Sequence, residues 1–334
     1  MSNLEIAPSE TVCEAGAAST AVEPVIEIIE PREVPLGGPR AMEVRRTLPQ
    51  KARSLIGAWC FADHYGPDPA GPRRMDVPPH PHTGLQTVTW LFAGEIEHHD
   101  SSGGHAMVRP GQLNLMTAGR GVQHSEVSTA AQGVLHGVQL WTALPDHARH
   151  GRAFFEHSEP PVLDHQGARV SVFLGSLLGY TAEATTFTPL VGAQLDLPAG
   201  VSVELPVDER FEHGVLVDAG EISFEGTPVP RASLGYRAPG ATTLSIANTG
   251  DSLGRVVLIG GEPFGEQIVM WWNFIGRTHD EVVAFREQWQ REVIDGETDA
   301  GRFGRVEGYV GRDGATGKAL PAPALPNVRL RPRG

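Results

Sequence analysis

His80-Pro81-His82 and His124-Ser125-Glu126 each set two metal-ligating side chains two residues apart. An extended strand puts such residues on one face, whereas a helix splays them apart. Two such strands lying side by side would aim three imidazoles and one carboxylate at a single point. That donor set suits one divalent first-row transition metal. The chain must therefore build a sheet that brings two distant segments into register. A single spaced pair is often a solvated strand face. Here all but two of the 14 histidines lie between His64 and His165, which favours the metal reading.

The flanking residues support strands. Thr87-Val88-Thr89-Trp90-Leu91-Phe92 is β-branched and aromatic and stops at Gly94. Strict alternation from His80 places His80, His82, Gln86, Val88, Trp90 and Phe92 on one face. On that reading the ligands sit at one end of a barrel, and Val88, Trp90 and Phe92 form an apolar wall. The second pair follows Pro110-Gly111, the run Leu113–Met116 and Ala118-Gly119-Arg120-Gly121. Those glycines read as turns on the path to His124. Gly119-Arg120-Gly121 is not a phosphate loop, because no helix-forming run follows it.

The chain has 334 residues with 40 Gly and 27 Pro. Many short strand-like runs separated by turn residues point to an all-β architecture, long enough for two cores. The only cysteines are Cys13 and Cys60, so a disulfide framework is not expected and a reducing, cytoplasmic setting fits. Cys60 follows Trp59 in an apolar run and reads as a small buried residue. No run approaches the roughly 18 apolar residues of a membrane span. The first 33 residues lack the pattern of a secretory signal. The net charge of −13 argues against a general affinity for nucleic acid or anionic membranes. The acidic start and the basic end, from Arg312, read as solvated tails.

Residues 1–24 lack periodicity and read as a disordered extension. A metal-binding half is expected over 25–165, a second β-rich half over 166–295 and an extended tail over 296–334. Thr278-His279-Asp280-Glu281 matches a capping box, and Val282, Phe285, Trp289 and Val293 follow at helical spacing. Ala93-Gly94-Glu95-Ile96 recurs as Ala219-Gly220-Glu221-Ile222, and Pro110-Gly111 as Pro239-Gly240, which suggests duplication. At these offsets the four ligand positions become Pro206, Asp208, Leu253 and Arg255. Only the first half is then expected to bind an ion.

The stretches HPHTGLQTVTWLFAGEIEHHDSSG, PGQLNLMTAGRGVQHSE and HGVQLWTALP, with VRRTLP before and GEPFGEQIV after, resemble the pirin family of bicupin proteins. The resemblance runs from about Val25 to Val293. It implies two cupin-type (jelly-roll) β-barrels face to face, here ending in a C-terminal helix and an extended tail. It places the metal in the first barrel, on His80, His82, His124 and Glu126. It also implies iron(II) first, with Mn, Ni, Co, Cu or Zn as alternatives. Many cupins have a ligand glutamate four residues after the second histidine. This chain has Gln86 there, which is expected beside the site as a hydrogen-bonding group. His98, His99, Asp100 and His105 read most simply as a polar loop at the barrel rim, with Asp100 able to orient an imidazole. Alternation alone leaves His136 facing either way.

Two functions follow. The first is a quercetin 2,3-dioxygenase-type oxidoreductase that opens a flavonol with O2 and releases carbon monoxide, as the resemblance implies. Glu126 would then be both ligand and base. The second is a redox- or metal-sensing regulatory protein that docks a protein partner.

Overall fold

The structure, a computed structural model, describes residues 26–36, 42–67, 75–129, 133–298, 300–309 and 318–334. The expected disordered extension over residues 1–24, and Cys13 with it, lie outside the described residues. Eight strands form the body of the first half: β1 (Trp59–Tyr65), β2 (Asp76–His82), β3 (Leu85–Ala93), β4 (Ile96–Asp100), β5 (His105–Val108), β6 (Leu113–Thr117), β7 (Val122–Ser128) and β8 (His136–Ala143). Eight more form the second: β9 (Leu190–Leu197), β10 (Ser202–Pro206), β11 (Glu212–Ala219), β12 (Ile222–Phe224), β13 (Thr227–Val229), β14 (Leu234–Arg237), β15 (Thr243–Asn248) and β16 (Gly254–Gly261).

The halves repeat one topology. The first pairs its strands as β6-β3-β8-β1 and β2-β7-β4-β5, and the second as β14-β11-β16-β9 and β10-β15-β12-β13. The two Ala-Gly-Glu-Ile segments make equivalent turns, after β3 and after β11. Gly94 and Gly220 there take φ of 93° and 83°, a left-handed conformation that favours glycine. The second proposed match fails. Pro110-Gly111 joins β5 to β6, whereas Pro239-Gly240 joins β14 to β15.

That failure corrects the ligand correspondence. Ile96 lies opposite Ser128, and its counterpart Ile222 lies opposite Asn248. Glu126 and His124 therefore correspond to Ile246 and Leu244. His124 faces His80 across the sheet as Leu244 faces Leu205. His80 and His82 thus map to Leu205 and Val207, not to Pro206 and Asp208, and Leu253 and Arg255 are not the other two positions. Leu205, Leu244 and Ile246 are buried in the aliphatic core of the second barrel.

The barrels share a core. Trp59, Val88, Trp90, Val138 and Leu140 of the first half pack with Phe173, Leu216, Leu234, Val257 and Ile259 of the second. Trp90 stacks on Phe173 with 4.8 Å between centroids, and its Nε1 donates to Gln194 Oε1 at 2.7 Å. Trp59 Nε1 donates to Gly260 O at 3.1 Å. Beside this apolar patch, His64 Nε2 and His136 Nε2 lie 2.7 and 2.5 Å from Asp218 Oδ1, and Arg255 Nη1 lies 3.3 Å from Asp218 Oδ2. His136, unplaced by its sequence, therefore belongs to the interface between the barrels.

The termini cross over. Strand Glu27–Ile29 pairs with β14, and Val162–His165 pairs with Ala168–Leu177, so both belong to the second sheet although their numbers fall within 25–165. Helix α1 (His279–Trp289) starts at Thr278, whose side chain accepts from Glu281 N, as the capping box requires. It buries Val282, Phe285 and Trp289 and continues into a π-helical turn, Gln290–Ile294. The final segment then crosses the first barrel. Leu320 N donates to Pro79 O at 2.8 Å, Tyr309 Oη to Asp76 Oδ1 at 2.8 Å, and Trp289 Nε1 to Leu320 O at 2.9 Å. No helix among the described residues is long and apolar enough to cross a membrane.

Burial pushes the Asp218 carboxyl up, but the hydrogen bonds from His136 and His64 more than reverse this and hold it below the ordinary range. Asp218→Asn leaves Arg255 with Asp196 as its remaining carboxylate and takes away the charged acceptor that His64 and His136 face. It should cost about 1–3 kcal/mol, measured by denaturant unfolding at neutral pH. Burial holds His64 and His213 below the ordinary imidazole range, His213 at about 4. The unfolded chain takes up these protons below about pH 6.5 while the folded chain resists them. Stability of metal-depleted protein should therefore fall as pH drops from 6.5 towards 4. A midpoint unchanged between pH 7.5 and 5 would contradict this.

Candidate metal centre

Strands β2 and β7 are antiparallel neighbours with His124 directly opposite His80 and Val122 opposite His82. The spacing of two in each strand then turns His80, His82, His124 and Glu126 to the same side, and all four are buried. One ring nitrogen from each of His80, His82 and His124 lies within 4.8 Å of the others. A second group, His98, His124 and Glu126, meets the same limit and overlaps the first at His124. His80, His82 and His124 therefore converge, and Glu126 meets that cluster through His124, together with His98.

The donor set fits a cation. His80 Nδ1 lies 2.8 Å from Pro78 O, which fixes the proton on that nitrogen. His80 Nε2 is buried with no hydrogen-bond partner among the described residues. His82 Nε2 and His124 Nε2 are 3.1 Å apart. Nitrogens on adjacent vertices around an ion at ~2.1 Å are separated by about 3 Å. Burial brings the His80 imidazole down to about 4 and carries His82 and His124 well below the ordinary value. All three are then neutral at pH 7, the form that binds metal.

Supporting residues surround the ligands. His98 Nδ1 lies 3.4 Å from His124 Nδ1, and His98 Nε2 lies 3.1 Å from Asp100 Oδ2. Asp100 Oδ1 accepts from Ser102 N, Ser102 Oγ and Gly104 N. Burial raises the Asp100 carboxyl, but His98 and these donors hold it below its usual range. His98 and Asp100 are thus buried members of β4 rather than a polar rim loop. Only His105 of that group is exposed; Glu97 Oε1 lies 3.0 and 3.2 Å from His99 and His105 on the outer side of the strand.

The wall facing the ligands differs from the expected one. A turn at Thr83-Gly84 carries the chain from the sheet of β2 to that of β3. Alternation does not survive that change of sheet. Val88 and Trp90 face the second barrel, and Phe92 packs against the same shared core. Gln86 bonds to Thr117, Thr142 and Thr185 instead of the ligands. The odd positions of β3 face the site. Thr89 Oγ1 lies 3.2 Å from Glu126 Oε1 and 2.8 Å from Gln139 Oε1. One hydroxyl proton cannot serve both acceptors. Turning the Gln139 amide lets its N–H donate to Thr89 while Thr89 donates to Glu126. Trp141 meets His82 edge-on with 5.1 Å between centroids and stacks on Phe61 at 4.0 Å. Tyr65 is fully buried, and burial, then the Glu126 charge, raise its phenol well above the ordinary value. Thr89, Tyr65, Gln139 and Trp141 were readable only from cross-strand pairing.

Two family models match the chain: Pirin over residues 41–142 and the Pirin C-terminal cupin domain over residues 192–295. The chain belongs to the pirin family. A Pseudomonas aeruginosa protein named "Putative quercetin 2,3-dioxygenase PA1205" is 38% identical over 308 residues, covering 91% of this chain and 92% of its own length. A pirin-like protein of Caulobacter vibrioides is 34% identical and covers 74% of this chain and 88% of its own. A crystal structure of quercetin 2,3-dioxygenase from Acinetobacter baumannii superposes with a TM-score of 0.81 at 38% identity, covering 91% of this chain and 97% of its own.

The ligand positions of the second barrel are aliphatic, and the His64-His136-Asp218 group shares its carboxylate with Arg255. Elemental analysis of purified protein should therefore give one tightly held transition ion per chain. His82→Ala should lower this at least tenfold while the protein stays folded by circular dichroism. Two tightly held ions per chain would contradict the assignment.

Proposed function

We propose that this pirin-family chain is a metal-dependent dioxygenase that opens a flavonol such as quercetin with O2. The observation that carries the reading is the joining of three buried neutral imidazoles and Glu126 to an aromatic wall inside one barrel. The similarity to quercetin 2,3-dioxygenases supports the substrate class. His80, His82, His124 and Glu126 would hold the ion, with iron(II) the first choice. A bound divalent ion would supply Lewis acidity that lowers the pKa of a substrate hydroxyl.

The remaining chemistry belongs to the chain. Glu126 Oε1 or Oε2 accepts the proton of the flavonol hydroxyl. Thr89, braced by Gln139, holds the carboxylate in one orientation before and after that transfer. Tyr65 stays protonated at neutral pH, so it donates a hydrogen bond to substrate oxygen and does not compete as a base. Phe61 and Trp141 present stacked rings against which the substrate rings pack. Asp100 fixes His98, which in turn limits rotation of His124.

Glu126→Gln keeps the size of the side chain and removes its charge and basicity. Flavonol-dependent O2 uptake per bound metal should fall at least ~10²-fold, the usual cost of losing a general base. Full activity per metal in this variant would remove Glu126 from the base role. Absence of uptake by wild-type protein loaded with iron, manganese, nickel or cobalt, across a flavonol panel, would overturn the dioxygenase reading.

A further inference from the structure

The second barrel lacks ligands, yet its mouth is open. A cavity of about 360 Å³ lies there, bounded by Leu177, Val191, Val207, Asp208, Phe211 and His213. His213 is a buried residue whose two ring nitrogens find no hydrogen-bond partner among the described residues. An imidazole buried without partners costs about 1–3 kcal/mol, so its presence in a barrel wall requires a reason.

The internal repeat shows how the cavity arises. Trp90 lies opposite Val138 as Leu216 lies opposite Val257. On the same register His213 takes the place of Thr87, and Gly260 that of Trp141. Trp141 lies opposite Phe61, and Gly260 opposite Val191. The stacked Phe61 and Trp141 of the first barrel are therefore Val191 and Gly260 in the second. Two rings are absent, and the His213 imidazole stands where a side chain at Gly260 would project, 2.9 Å from an added Cβ.

We propose that the mouth of the second barrel is a binding site for a small neutral hydroxylated aromatic molecule, a phenol, with His213 as its hydrogen-bond anchor. A neutral imidazole offers one N–H and one lone pair, which together match a hydroxyl group. His213 stays neutral at pH 7 because burial lowers its pKa to about 4. Leu177, Val191, Val207 and Phe211 supply an apolar wall for the ring. The volume lies at the small end of ligand pockets and suits one ring better than a three-ring flavonol. Asp208 lines the cavity and pairs with Arg210, and no cation is among the lining residues to receive a carboxylate. This site is separate from the metal centre and does not depend on the dioxygenase reading.

The test uses full-length, metal-loaded protein with phenol, toluene and benzoate as probes, read by calorimetry and ligand-observed NMR. Phenol should bind at least tenfold more tightly than benzoate. His213→Leu should weaken phenol about tenfold, the effect of one hydrogen bond, and leave toluene unchanged. Val191→Phe, which restores the ring found in the first barrel, should abolish binding of both. His82→Ala should leave phenol binding intact. Crystals of wild-type protein soaked in 4-bromophenol should show the bromine anomalous signal inside this cavity. No bromine signal there, a signal only at the metal centre, or phenol binding unaffected by both second-barrel variants would overturn the proposal. The His82→Ala arm separates that result from any failure of the dioxygenase reading.

Discussion

The packing of one barrel on the other is the constraint on which the metal centre depends. Strands β3 and β8 each have two buried faces. Val88, Trp90, Val138 and Leu140 look towards the second barrel, while Thr89, Gln139 and Trp141 look towards the ligands. A slip of one residue would exchange these faces completely. The apolar interface therefore fixes the register that aims Thr89 at Glu126 and sets Trp141 against His82. The geometry of the ligand cluster in the first barrel therefore depends on contacts made with the second.

The electrostatics of the two buried polar centres differ in kind. At the interface, Asp218 accepts from Arg255, His64 and His136, so its charge is balanced within the protein. At the ligand cluster, three neutral imidazoles converge and a carboxylate adjoins them at His124. Such a cluster resists protonation because burial penalises the imidazolium. A cation satisfies the lone pairs without adding protons. The first arrangement is suited to holding domains together and the second to holding an ion.

Much of this was legible in the sequence for a simple reason. His-x-His and His-x-Glu spacing survives translation into structure because a strand alternates strictly, and the family resemblance supplied the barrel count. The errors came where alternation was carried past its limit. The turn at Thr83-Gly84 moves the chain between sheets, so the parity of β2 says nothing about Val88 or Trp90. The repeat offset taken from Pro110-Gly111 and Pro239-Gly240 compared different turns, which displaced the inferred partners of all four ligands. Fourteen histidines in one chain also disguised their separate roles. His98 has a local partner in Asp100, two residues on in the same strand, but its contact with His124 and the contact of His136 with Asp218 are set by pairing across strands and barrels.

The crossed termini have a consequence for how the protein is made. The segment Glu27–Ile29 is an edge strand of the second sheet, and residues near Tyr309 and Leu320 cover the outside of the strand that carries His80. During synthesis the first strand must wait for β14 before it finds its place, and the strand bearing His80 lacks these contacts until Tyr309 and Leu320 have been added. Each half is therefore completed by a segment distant in sequence. A polypeptide truncated before Tyr309 would present the histidine cluster without that covering.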